Sequence, residues 1–151
     1  MAKKNKSVLN GKKAWKETIR PSHDKAERKL QSEYPNHLVI STTGMPDFFI
    51  IDKKGRIVDL VELKPNRLAR NQRASYERMY LSSTQESKIK RLLSWGMPVG
   101  IMYYNKIGRK MVHADVIRHS SKNLKSFCYS TPSQKRFDPD TIKFDQKKLS
   151  N

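Results

Sequence analysis

The chain has 151 residues, enough for one ordinary domain with flexible ends and too few for a second catalytic domain. Lys and Arg number 32 against 14 Asp and Glu, a net charge of +18, which favours a polyanionic partner such as nucleic acid. No apolar run approaches the ~18 residues of a spanning helix and no signal-type stretch follows the first lysines, so a soluble intracellular protein is expected, cytoplasmic or nucleoid-associated and without a membrane partner.

Residues 1–20 carry Lys3, Lys4, Lys6, Lys12, Lys13, Lys16 and Arg20 against Glu17 alone, with little apolar surface to bury. They read as a flexible basic arm in which Lys12 and Lys13 contact nucleic acid. Residues 21–130 read as the folded domain. Residues 131–151, with Pro132 and Pro139, read as a polar basic tail.

Within the domain, Ser22–Tyr34 follows Pro21 with Ser22 as a cap and a stripe of Ala26, Leu30 and Tyr34, which predicts a helix. His37–Thr43 suits a strand. Phe48–Ile51 and Ile57–Leu63 bracket Lys53-Lys54-Gly55-Arg56 and predict a β-hairpin. A helix over Leu68–Tyr80 would carry Arg67, Arg70, Arg73 and Arg78 as a phosphate-contacting face. Ser83 with Glu86 three positions on reads as a capping box opening another helix, closed by Gly96. Val99–Tyr104 and Lys110–Ala114 complete the strands, giving a mixed sheet flanked by helices. Trp15, Tyr76, Tyr80 and Tyr129 are candidate stackers on unpaired bases.

Strand periodicity carries the functional reading, because residues two apart share a face: Asp47, Phe49 and Ile51 on one strand, Val58, Leu60, Glu62 and Lys64 on the next. A two-residue turn at Lys54-Gly55 sets Asp47 opposite Glu62. A three-residue turn with Gly55 as a bulge shifts the register by one and sets Asp47 opposite Val61. Facing carboxylates at the end of an apolar hairpin repel unless a cation or proton lies between them, and hard oxygen ligands suit Mg²⁺, with Mn²⁺ as a substitute. The lone Cys128 and four scattered histidines offer no zinc pattern.

Gly44-Met45-Pro46-Asp47 followed by Val61-Glu62-Leu63-Lys64 resembles the PD and ExK elements of the PD-(D/E)XK nuclease superfamily. Leu81-Ser82-Ser83-Thr84-Gln85, opening a helix that ends at Trp95-Gly96 before the Val99 strand, is similar to the VRR-NUC branch, itself like the Holliday-junction resolvases. The resemblance covers roughly residues 22–104. It implies a restriction-endonuclease-like α/β fold and a Mg²⁺-dependent endonuclease acting on DNA, branched or otherwise structured. It also implies Asp47 and Glu62 as metal ligands, Lys64 as the catalytic lysine, the Leu63 carbonyl as a further ligand, and Glu27 as an additional acid for metal or water. Gln85 fills the place of the family's helix glutamine, with Gln72 its rival. A homodimer is compatible with cutting both strands. Two other classes stay open: a non-catalytic basic nucleic-acid-binding protein, and a sequence-specific restriction or homing endonuclease.

Overall fold

A computed structural model describes residues 20–66, 78–132 and 136–144. The first helix, α1, runs Arg20–Glu33, and six strands follow or flank the second helix: β1 Leu38–Ser41, β2 Phe48–Ile51, β3 Ile57–Pro65, α2 Ser83–Ser94, β4 Val99–Ile107, β5 Lys110–His113 and β6 Ile117–Arg118. The sheet order is β1-β2-β3-β4-β5, with β6 also paired to β4. All pairings are antiparallel except β3 with β4, which is parallel and makes the sheet mixed. The coarse α/β expectation therefore holds, and the strand β6 is an addition that its two-residue length hides from any periodicity.

Alternation along the strands splits the core into two layers. Val39, Phe48, Ile50, Val61, Leu63 and Met102 pack under Ala26 and Leu30 of α1. Leu60, Ile101 and Tyr103 face the other way, against Ile89 of α2 and against Met79, Leu81, Leu124 and Phe127. Gly100 lets β6 close on β4: a methyl there would lie 2.3 Å from Val116 Cγ1, so even alanine would force the two segments apart.

The hairpin reaches its register by two cancelling irregularities. Asp52 Oδ1 accepts from the N–H groups of Lys54 and Arg56, and Asp52 N–H donates to the Arg56 carbonyl, which fixes a three-residue turn with Gly55 at φ +78°. Ile51 then pairs with Ile57 but Ile50 pairs with Asp59, so Val58 is an extra residue that restores the register lost at the turn. Phe48 faces Val61, and the next step brings Asp47 opposite Glu62. The turn is thus the three-residue alternative, while the facing residues are those expected of the two-residue one.

Three boundaries differ from the sequence reading. Ser22 lies inside α1 and is buried, not at its cap, because the helix begins at Arg20. The cap of α2 is Ser82, whose hydroxyl accepts from Gln85 N–H; the Ser82/Gln85 pair forms the box in place of Ser83/Glu86. Residues 136–144, expected to trail as part of a tail, pack on the body: Phe137 stacks on Tyr103 and Phe127, Tyr80 Oη donates to the Phe137 carbonyl, and Phe144 bridges to Ala114. The helix expected over Leu68–Tyr80 lies outside the described residues apart from its end, where Arg78 and Met79 are helical.

Candidate functional site

Asp47 sits one residue before β2, where β2 ends against β3. Its Oδ2 accepts a 2.7 Å hydrogen bond from Leu63 N–H, and its backbone carbonyl accepts from Thr42 N–H. Glu62 lies in the middle of β3, 5% exposed, and its carboxyl group is within hydrogen-bonding reach of that of Asp47. Lys64 is the next residue on that face. Gln85, in the first turn of α2, joins them: its Nε2 donates to Glu62 Oε1 at 2.8 Å, and its Oε1 accepts from Lys64 Nζ at 3.0 Å and from Ser82 N–H at 2.9 Å. One amide therefore caps the helix and bridges the acid to the amine, which ties the orientation of α2 to the site.

The electrostatics follow from this crowding. Burial, and then the neighbouring charge of Asp47, push the Glu62 carboxyl up to about 8. Asp47 is raised as well, by burial, against the opposing pull of the Leu63 N–H, His23 and Lys64. Burial lowers Lys64, opposed by the two carboxylates. Glu62 Oε2 is buried without a hydrogen-bond partner. A buried carboxylate oxygen left without a donor is costly, and it is a ready ligand for a hard cation. Two oxygen donors that repel each other unless a proton or cation intervenes suit Mg²⁺, which is held by one or two carboxylates and keeps several waters.

Comparison with protein-family models, with curated protein sequences and with solved structures gives no match. The site is therefore read from its own geometry.

Of the residues expected there, Asp47, Glu62, Lys64 and Gln85 come together, and Leu63 takes part through its N–H. Glu27 does not. It lines a shallow depression with Asp24, Arg28 and Gln31, and among the described residues no group of three His, Cys, Asp or Glu is placed to hold a metal ion. The α1 residue that approaches Asp47 is His23, one turn earlier, with Nε2 4.0 Å from Asp47 Oδ1 and its ring 5.7 Å from that of Phe48. His23 was legible in principle: it precedes Ala26 by three and Leu30 by seven, on the edge of the stripe that turns α1 toward the sheet. Glu27 borders the same stripe, three residues before Leu30, but lies one turn further along α1, where it lines that depression and not the acid pair.

Lys12, Lys13, Arg67, Arg70, Arg73 and the rival glutamine Gln72 lie outside the described residues, as do Trp15 and Tyr76. Arg78 is exposed. Tyr80 and Tyr129 are engaged internally, with the Arg136 guanidinium 5.1 Å and 5.3 Å from their ring centroids. No helix among the described residues is long and apolar enough to cross a membrane.

Proposed function

We propose that this protein is a Mg²⁺-dependent endonuclease that hydrolyses phosphodiester bonds in DNA, with structured or branched DNA as its substrate and a restriction-endonuclease-like, VRR-NUC type of fold. The observation that carries the reading is the buried, unpartnered Glu62 Oε2 beside Asp47, flanked by Lys64 and gripped by Gln85. Carboxylates are buried against each other at the cost of stability, and that cost is intelligible where a cation is to be bound.

Asp47 and Glu62 would hold the ion, with the Leu63 carbonyl as a further ligand. A bound divalent ion supplies Lewis acidity to the phosphate and lowers the pKa of an attacking water. The chain's own residues do the rest. Leu63 N–H fixes the Asp47 carboxylate so that Oδ1 turns away from the strand, and His23 sits on that side. Gln85 holds Lys64 Nζ beside the acids. The ammonium then lies where negative charge grows on the phosphate oxygens as the bond to the leaving group breaks. The net charge of +18 favours association of the protein with a polyanion.

The test is incubation of the full chain with plain, flapped and four-way DNA in Mg²⁺, beside Asp47→Ala and Glu62→Ala. Cleavage is expected for the parent protein and a fall of about 10³-fold or more for each variant, because each removes a ligand of the reacting centre. Undiminished cutting by either variant removes the proposed site. Nucleic-acid binding that persists in EDTA, without cleavage under any divalent ion, points instead to a non-catalytic binding protein.

A further inference from the structure

Single exposed apolar side chains are ordinary on a protein surface, whereas several gathered around one apolar groove mark an interaction site. Trp95 is 69% exposed at the C-cap of α2, and Ile57 is 42% exposed at the start of β3. Between them runs an apolar groove of about 430 Å³, floored by Phe49 and Leu60 and walled by Met45, Leu92 and Met97. Arg91 and Lys88, one and two turns back along α2 from Trp95, stand on its lining. Pro46 belongs to it too, and Asp47 is the next residue, so the groove begins where the candidate acids end.

We infer that this groove receives an unpaired nucleobase of the substrate strand, stacked on the Trp95 indole, with the flanking phosphates on Lys88 and Arg91. The inference rests on the nucleic-acid reading above and names the substrate class of the same site. Three observations select this occupant. The groove is apolar with cations at hand, the pattern of a stacking platform beside a backbone track. Its volume falls within the ~300–1,000 Å³ range of ligand sites, room for a base and its sugar. The chain carries +18, so a second copy brought to a surface holding Lys88 and Arg91 meets like charge, whereas a polyanion meets opposite charge. A fully paired duplex keeps its bases stacked and cannot fill the groove; a flap, gap or junction arm can. Preference for structured DNA would then arise from one aromatic side chain at the end of α2 opposite to the acids, without a separate reading module.

The experiment measures binding by fluorescence anisotropy in EDTA, with the full chain and three probes: a plain duplex, the same duplex with a short thymidine flap, and that flap made of abasic nucleotides. The parent protein is expected to bind the thymidine flap about 10-fold more tightly than the abasic one, the scale of a single base–aromatic stack. Trp95→Ala should erase that difference and leave duplex affinity unchanged, with Trp95→Phe retaining part of it. Circular dichroism checks that the variants fold. Equal binding of the two flaps by the parent protein, or an undiminished preference in Trp95→Ala, overturns the inference. So does a Trp95→Ala protein that changes from dimer to monomer in sedimentation while its preference persists, since the groove then belongs to a second copy. An intact base preference with no cleavage in Mg²⁺ leaves the groove standing and removes hydrolysis; cleavage that depends on Asp47 without base preference does the reverse.

Discussion

Two acids on β3, three residues apart and on opposite faces of the sheet, show how differently one strand can treat a buried charge. Asp59, 2% exposed, is fully provided for: Tyr34 Oη donates to its Oδ2 at 2.6 Å, the Arg118 guanidinium and the Leu60 N–H reach its Oδ1, and Arg118 also bonds Tyr34. That triad pins α1 and β6 to β3. Glu62, 5% exposed, accepts from the Gln85 amide on Oε1, leaves Oε2 without a hydrogen-bond partner, and has a second carboxyl group at its side. Both residues resist solvation equally, so the difference is one of purpose: the first closes a structure, and the second is left open toward something that the polypeptide does not supply.

Opposite responses to the same kind of substitution would sharpen the contrast. Arg118→Met leaves Asp59 buried beside Tyr34 and the Leu60 N–H without its cation, and is expected to cost about 2–3 kcal/mol in denaturant unfolding, less than a fully enclosed pair because the arginine is partly exposed. Glu62→Gln removes a carboxyl group whose ionisation is costly in this buried place beside Asp47, and at pH 8 and above is expected to raise stability by about 1 kcal/mol in EDTA while it abolishes cleavage. Destabilisation by Glu62→Gln in the absence of divalent ions would show that the two acids are alike and the comparison empty.

The pH dependence carries the same contrast at a smaller amplitude. The Glu62 carboxyl titrates at about 8 in the folded chain and near its ordinary 4.5 when unfolded. Between those values the folded state holds the extra proton, so the group's contribution favours folding at low pH and is lost as pH rises toward 8, above which the effect levels off. Asp47, also raised, acts in the same sense. Thermal melts in EDTA should therefore show a midpoint that falls from about pH 5 to pH 8, a trend that Glu62→Gln flattens and that Mg²⁺ reverses by taking the proton's place. Parallel slopes for parent and variant would mean that Glu62 is not the group responsible.

What the sequence disclosed follows the range of the forces involved. Hydrophobic alternation is local, and it marked β2, β3 and β4 and put Leu60, Glu62 and Lys64 on one face. Register is not local. Asp52 and Gly55 called for a three-residue turn, and only the extra Val58, whose bulge no residue type announces, brought Asp47 back opposite Glu62. Likewise the choice of Ser82 over Ser83 as the cap turns on where β3 delivers Glu62 and Lys64, since Gln85 at the third helical position can bond both only from that start. Glu27 failed as a candidate for a similar reason: an acid near the inward stripe is common, and only the packing angle of α1 decides that His23 faces Asp47 instead.

Gln85 tests the comparison most finely, because its amide belongs to structure and site together. Gln85→Ala keeps the Ser82 hydroxyl on the N–H of residue 85 and loses the return bond to Ser82 N–H, so the stability change is expected to stay near 0.5–1 kcal/mol. Lys64 Nζ and Glu62 Oε1 each lose a partner at once. Cleavage is expected to fall about 10–100-fold, more in kcat than in KM, since the amide positions groups that act on the reacting phosphate and does not hold the strand. Gln85→Glu restores an acceptor for Lys64 and adds a third acid beside the pair, and should raise the affinity for Mn²⁺ over that of the alanine variant. Single-turnover cleavage beside urea unfolding separates the two roles: a loss of activity no larger than the loss of folded protein would reduce Gln85 to a helix cap, and the bridge to Lys64 would then have no part in the chemistry.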